Sequence, residues 1–403
     1  MTTAEADSLS RLSIRSRQIK ESGIRRAFDA AGQMKDAIHL GLGEPDFEAP
    51  EELKVLLKLA VDEGYSHYTP NAGFLDLRTM ISEKLQNENR VQYDPATEII
   101  VTVGAMNAIS LAVASLVNPG DEVLIQDPCF VGFEPCIISA GGIPVRVPLR
   151  EDRDFRLDPR DVEDRITDRT RLLIVNSPHN PTGGVLKRED VEEIARIAVS
   201  RDLFVISDEV YEKLIYDGRE HVSFASLPGM KERTLTVMSY SKTFCICGWR
   251  IGYAAGPAFL VNNMVKFQQF NSVHPPAPMQ KAVLFYMNRA GEFMECIRKI
   301  YLARRDYMVD LLNQIKEIHC PRPSGAFYLF VNIKSLGCTS DEFARFLLQD
   351  YRIISIPGSA FGPSGEGYIR LCLTVPIEKL QVACLRIEKA IPQLKSASSS
   401  IHP

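Results

Sequence analysis

The chain has 403 residues, 45% of them hydrophobic and 24% charged, with a net charge of −4. That length suits two domains and a large buried core, and the weakly acidic balance gives no electrostatic case for nucleic acid or an anionic membrane. Nine scattered cysteines with no C-x-x-C pair exclude a disulfide framework or zinc site, and no apolar run approaches a membrane span. Cys245 and Cys247 flank one residue, a poor spacing for metal ligands, so no metal is expected. Residues 1–10 are polar and acidic and lack the apolar stretch of a secretory signal. With reduced cysteines, this places the expected location in the cytoplasm.

Residues 1–47 read as an N-terminal arm, with a helical pattern from Ile14 to Ala31. From 50 to 89 the pattern is helix, turn, helix, and Pro70 and Gly73 fix the loop between. Strands and helices then alternate. Apolar, β-branched runs predict strands over 98–103, 122–126, 143–149, 171–176, 203–207, 234–239 and 250–255. Helical patterns fall at 105–117 and 187–200. This alternation predicts an α/β fold, a mostly parallel sheet with helices on both faces. After Pro257 the chain turns helical, with one long segment from about 282 to 318. Residues 324–391 mix short strands and helices and read as a second, smaller domain. The expected limits are 48–290 for the larger domain and 291–394 for the smaller, and the serine-rich 395–403 is expected to be a disordered tail.

The chemistry concentrates where predicted strands end. Lys242 follows the run Thr234–Ser239, between Ser241 and Thr243, with Arg250 close behind. A buried lysine is costly as an ammonium and gives up its proton readily. A neutral amine beside hydroxyls and a guanidinium suits a Schiff base to pyridoxal phosphate, with Ser239, Ser241 and Arg250 on the phosphate. Taken alone, Ser-Tyr-Ser-Lys is better read as a loop with a surface lysine. Four further segments fit the same site.

Asp208 ends the run 203–207. A carboxylate there is costly unless paired, and a pyridinium nitrogen would pair it; a helix cap is the simpler alternative. Tyr211, three residues on, suits a phenolic oxygen. Asn180 lies in Asn-Ser-Pro-His-Asn-Pro-Thr-Gly-Gly, a turn dense enough in special residues to suggest a cis bond at Pro181. Residues 101–106 run from strand into helix, and free N–H groups at Gly104, Ala105 and Met106 make an anion site. Phe130, just past another strand, suits ring stacking or core packing equally. Arg370 sits in an apolar strand and needs an anion, either an internal carboxylate or a substrate carboxylate.

In order, the segments GEPDF (43–47), HYTPNAG, VGAMNA, DPCFVGFEP, NSPHNPTGG, SDEVY, SYSKTF, GWRIGY, GAFYLF and PGSAFGPSGEGYIR, ending at Arg370, span nearly the whole chain. In them the chain resembles the class I aminotransferases, fold type I of the pyridoxal-phosphate enzymes, and most of all the aspartate and aromatic aminotransferases of bacteria and archaea. The resemblance implies a large domain with a seven-stranded sheet and a smaller α/β C-terminal domain. It implies Lys242 as the Schiff-base lysine, Asp208 on the pyridine nitrogen, Tyr211 and Asn180 on the phenolic oxygen, and Phe130 on the ring. Gly104, Ala105, Met106, Ser239, Ser241 and Arg250 would hold the phosphate. Tyr68 would reach the partner's phosphate in a homodimer with shared sites. Arg370, Asn180 and the backbone of Gly43 would take the substrate α-carboxylate. The N-terminal helix and the C-terminal domain would close over the substrate. The substrates implied are an aromatic or aspartate-like amino acid and a 2-oxo acid such as 2-oxoglutarate. Two positions depart from the pattern: Met106 stands where relatives often carry a polar residue, and Cys247 where threonine is common.

A lyase, decarboxylase or synthase on the same fold shares these cofactor motifs. The GEPDF and PGSAFG segments favour transamination. An aminotransferase-like regulator would need a DNA-binding module, and the roughly 40 residues before the fold are too few for one.

Overall fold

The computed structural model of the chain describes residues 11–19, 21, 23, 34 and 36–399, with side chains as far as 394. Of the helix expected from Ile14 to Ala31, α1 (Ile14–Gln18) is seen, and most of 20–33 lies outside the described residues. A two-residue strand, β1 (Ile38–His39), follows, then α2 (Glu51–Asp62) and α3 (Leu75–Asn89) on either side of the Tyr68 loop.

The central sheet is built from β2 (Ile99–Thr102), β3 (Glu122–Asp127), β4 (Ile143–Pro148), β5 (Thr170–Asn176), β6 (Phe204–Asp208), β7 (Thr234–Ser239) and β8 (Gly252–Ala255). Their order is β2-β8-β7-β6-β5-β3-β4. Pairing is parallel from β7 to β4, and β8 runs antiparallel to both its neighbours. All residues of β2, β3, β7 and β8 are buried. Helices cover both faces, so burial in these strands is continuous rather than alternating. Between them run α4 (Gly104–Leu116), α5 (Phe133–Ala140) and α6 (Arg188–Ser200). Helix α6 starts where the Asp190 carboxylate accepts from the Lys187 N–H at 3.0 Å, and it buries Val191, Ile194, Ala195 and Ala198 on one face.

A single-turn helix α7 (Tyr240–Thr243) leaves β7, and α8 (Ala258–Asn271) leaves β8. The long helix expected over 282–318 is two helices, α9 (Ala277–Tyr286) and α10 (Gly291–Leu312), with a 3₁₀ turn at Met287–Arg289. Asn288 and Gly291, both poor helix formers, sit at the break. There the chain leaves α2, against which α9 packs, for the C-terminal helix, against which α10 packs.

Strands β9 (Tyr328–Asn332), β10 (Ile353–Ile354), β11 (Ile356–Pro357) and β12 (Tyr368–Cys372) enter two smaller sheets. Strands β11-β12-β9 are antiparallel, while β10 pairs instead with β1, in parallel. Helix α11 (Ser340–Tyr351) and α12 (Ile377–Ser399) cover these strands. Helix α12 continues five residues into the expected tail, and 400–403 lie outside the described residues. Strands β2, β3, β5, β6 and β7 end on one edge of the large sheet, where an open α/β sheet carries its ligands.

Candidate active site

At that edge lies a cavity of about 280 Å³. It is lined by Gly43, Ala105, Met106, Phe130, Asn180, Asp208, Tyr211, Ser239, Ser241, Lys242, Arg250 and Arg370. The expected residues thus converge from eight of the quoted segments. Gly104 stands just behind Arg250. Tyr68 is not among them: it is 86% exposed, with its ring edge-on to His274 at 5.6 Å.

Lys242 is held by a short device. The Ser239 hydroxyl caps α7 by accepting from the Ser241 N–H at 3.1 Å. The next turn lifts Lys242 into the cavity, half-buried. Its Nζ donates to the Gly43 carbonyl at 2.6 Å and to Cys247 Sγ at 3.4 Å. The GEPDF segment therefore meets the lysine directly, although it lies about two hundred residues earlier.

One end of the cavity is built for an anion. Helix α4 begins at Gly104 with no side-chain cap, which leaves its first N–H groups unpaired along the helix. The Ser239 and Ser241 hydroxyls lie 2.9 Å apart beside it. Gly104 has φ +74°, a conformation that favours glycine, and a Cβ there would stand 2.7 Å from Arg250 Nη2, so the guanidinium would have to shift. Arg250 is exposed and adopts a left-handed conformation (φ +54°) just before β8, not within the strand as expected. Its Nη1 donates to the Cys247 carbonyl at 2.9 Å.

Asp208 closes β6 and is 5% exposed. It is a strand end, not a helix cap, although the Val210 N–H reaches its Oδ1 at 3.4 Å. Burial, with a smaller push from Glu209, raises its carboxyl to about 7. No cation pairs with it among the described residues. Tyr211 is buried, and its hydroxyl lies 2.6 Å from that of Tyr328. Burial and Tyr328 both hold the Tyr211 phenol well above its ordinary range. Phe130 lines the cavity with its ring edge-on to Phe133 at 5.6 Å.

Arg370, on β12, is 1% exposed. Its Nη1 donates to Asn180 Oδ1 at 3.0 Å and its Nη2 to the Gly41 carbonyl at 2.6 Å. The guanidinium lies over the rings of Tyr328 and Phe361, at 4.7 and 4.8 Å. Its buried Nε has no partner. Among the described residues no carboxylate pairs with it, so the internal salt bridge is not found. The Asn180–Pro181 bond is cis, as the turn suggested, and so are the bonds before Pro128 and Pro178.

Two polar lining residues, Asn176 and Tyr328, go beyond those the sequence points to. Asn176 donates to the Asp208 carbonyl at 3.0 Å, and its own Oδ1 accepts from the Asn180 N–H at 2.8 Å. Tyr328 touches Tyr211 and Arg370, and a Cβ at Gly43 would stand 2.5 Å from its hydroxyl. Both lie in quoted segments. The available signal was a polar or aromatic residue in a motif already pointing to the site.

The chain is similar to known proteins along nearly its whole length. The family profile described as aminotransferase class I and II matches residues 35–387. An aspartate aminotransferase of Pyrococcus abyssi is 45% identical over 379 residues, covering 94% of this chain and 97% of that one. Aromatic-amino-acid aminotransferase 2 of Thermococcus litoralis is 42% identical over 386 residues, covering 95% and 99%. The solved structure of an aspartate aminotransferase from Thermus thermophilus with maleate superposes with a TM-score of 0.90 at 34% identity, covering 94% and 99% of the two chains.

Proposed function

This chain belongs to the aminotransferase class I and II family and is a pyridoxal-phosphate-dependent aminotransferase, and from that premise we propose how its residues divide the work. Amino-group transfer, not a lyase or decarboxylase reaction, is its activity.

The residues fit the cofactor on three observations. An uncapped helix start, two hydroxyls and Arg250 make a phosphate cradle that a Cβ at Gly104 would obstruct. Asp208 is a buried acid without a counter-charge among the described residues. Lys242 enters the same cavity. When bound, pyridoxal phosphate supplies the carbon that takes the amino group and a ring that accepts the electrons released at the substrate Cα.

In this reading Ser239, Ser241, Arg250 and the N–H groups of Gly104, Ala105 and Met106 hold the phosphate. Asp208 keeps the ring nitrogen protonated, Tyr211 and Asn180 contact the phenolic oxygen, and Phe130 stacks on the ring. Lys242 Nζ carries the proton to and from the substrate Cα, and its contact with the Gly43 carbonyl fixes where that amine waits. Arg370, with Asn180 and the Gly43 backbone, takes the α-carboxylate.

The observation that carries this is Arg370. It is a buried guanidinium that has, among the described residues, one unpaired nitrogen and no carboxylate partner, and it faces the cavity that holds Lys242. A buried fork of this kind calls for an anion, and a substrate carboxylate provides one. Titration with 2-oxo acids tests it: binding should require a carboxylate beside the keto group.

The donor is an aromatic or aspartate-like amino acid and the acceptor a 2-oxo acid such as 2-oxoglutarate. The active form is a homodimer with Tyr68 reaching the partner's phosphate. Tyr68 and Phe270, at 86% and 87% exposed, support this as uncovered aromatic surface. We place the domain limits at 48–290 and 291–394, a reading supported by the seven-stranded sheet lying in the first span and the three-stranded sheet in the second. The β1–β10 pairing ties the arm, 1–47, to the smaller domain. Nine free cysteines support a cytoplasmic location.

A further inference from the structure

Asp208 has a demanding position and little to hold it. Among the described residues its side chain has one hydrogen bond, from the Val210 N–H at 3.4 Å, at the long end of the useful range. The backbone around it is clamped instead. The Asp208 carbonyl accepts from the Ser177 N–H at 3.1 Å and from Asn176 Nδ2 at 3.0 Å. The Glu209 N–H donates to the Val237 carbonyl at 3.0 Å.

Glu209 then turns away from the cavity into a buried polar cluster. It is 0% exposed. Its Oε1 accepts from the Ser207 and Ser223 hydroxyls, each at 2.8 Å. Its Oε2 lies 2.7 Å from His221 Nε2 and 3.4 Å from Asn89 Nδ2. Glu212, on the following turn, accepts from Asn89 at 2.9 Å and pairs with Lys84. The cluster ties the end of α3, the end of β6 and the loop carrying His221 and Ser223 into one unit. Glu209, Glu212 and His221 lie close enough together to ligate a metal ion. Hydrogen-bond donors and Lys84 already meet the two carboxylates, so we assign the cluster a different role.

We propose that Glu209 is a positioning residue for the reaction, an anchor whose four side-chain donors fix the end of β6 and so keep the Asp208 carboxylate aimed at the cofactor's ring nitrogen. This rests on the reading of Asp208 given above. A carboxylate held by its backbone and not by its own hydrogen bonds depends on whatever pins that backbone. A buried acid with four donors makes a stiff pin, because each broken contact strands a buried polar group. Glutamine at 209 keeps the shape and can still accept from the two serines, whereas alanine takes this acceptor from Ser207, Ser223 and His221 and leaves Asn89 with Glu212 alone.

The test uses Glu209→Ala, Glu209→Gln and Ser223→Ala. Three readouts are taken: thermal unfolding, the Kd for pyridoxal phosphate, and the titration of the Asp208 carboxyl by ¹³C NMR in cofactor-free protein. In Glu209→Ala, cofactor binding should weaken at least about tenfold, and the Asp208 midpoint should fall toward the ordinary aspartate range as the side chain finds water. Glu209→Gln should stay within about threefold of wild type in Kd, and Ser223→Ala should fall between the two. A lower melting temperature with an unchanged Asp208 midpoint and unchanged Kd would make Glu209 a structural residue only and overturn the proposal. So would a glutamine variant as impaired as the alanine one. If the alanine variant does not fold, the order of Ser223→Ala, glutamine variant and wild type decides. Failure of wild type to bind the cofactor would sink the cofactor assignment alone, since the carboxyl titration still reads the anchor.

Discussion

Replacing Arg370 with lysine should cost the enzyme one hydrogen bond to every carboxylate it handles. The guanidinium offers a planar fork of parallel donors, fixed by Asn180 and the Gly41 carbonyl and flanked by two rings. A lysine at 370 keeps the charge but presents a single point donor. A hydrogen bond to a charged group contributes about 1.5–3 kcal/mol, so losing one of two should lower kcat/KM by roughly 10- to 150-fold. The loss should appear mainly as a raised KM and should be equal for amino and 2-oxo acids, because both carry the carboxylate. An amine without a carboxylate, such as phenethylamine beside phenylalanine, supplies the internal control. Wild type and variant should process it equally poorly. The assay is steady-state kinetics on the four combinations, with cofactor absorbance monitored to confirm full loading. If Arg370→Lys slowed the carboxylate-free amine as much as phenylalanine, the arginine would be acting on the cofactor or the fold and the reasoning would fail.

Lys242→Ala should retain weak pyridoxal phosphate binding through the phosphate cradle. It should lose nearly all turnover, and borohydride should no longer fix the cofactor to the protein; a mass adduct elsewhere would contradict this. Asp208→Asn should raise the barrier by several kcal/mol, on the order of a lost charge in a preorganised site, and a variant within a few-fold of wild type would leave Asp208 a structural residue. Asp208 also gives the cofactor-free protein a pH signature. Its carboxyl is raised from 3.8 to about 7, so the folded state holds the proton more tightly than the unfolded chain. That contribution is complete below about pH 4 and is lost as pH rises to about 7, amounting to roughly 4 kcal/mol. Denaturant melts across this range should therefore show a fall that Asp208→Asn abolishes. Mixing Tyr68→Ala with Lys242→Ala under subunit exchange should restore roughly a quarter of wild-type activity, since one site in each hybrid dimer is intact. No recovery despite confirmed exchange would argue that Tyr68 serves its own subunit.

Much of this molecule is legible in the chain because its strands are buried on both faces. The runs ending at Asn176, Asp208 and Ser239 are continuous and apolar, and polar residues at their ends stand out. Arg370 stands out for the same reason, a charge inside an apolar strand. Less legible were features set by tertiary contact. Nothing local marks Arg250 as left-handed, nor that its side chain comes to lie beside Gly104. Tyr328 reads as one more core aromatic until its hydroxyl is found on Tyr211. Glu209 beside Asp208 resembles capping chemistry, and its role depends on Asn89, His221 and Ser223, distant in sequence. The break between α9 and α10 is set by a change of packing partner, which periodicity does not register.

The central claim, that Lys242 and the groups around it move an amino group to and from one cofactor, is tested most directly by a half-reaction. Enzyme loaded with pyridoxal phosphate is mixed with an amino acid and no 2-oxo acid. One equivalent of the matching 2-oxo acid per subunit should appear and then stop, with the cofactor left in its aminated form. Adding 2-oxoglutarate should restore the starting absorbance and yield one equivalent of glutamate. Continuous release of ammonia or carbon dioxide from the amino acid alone would contradict the account.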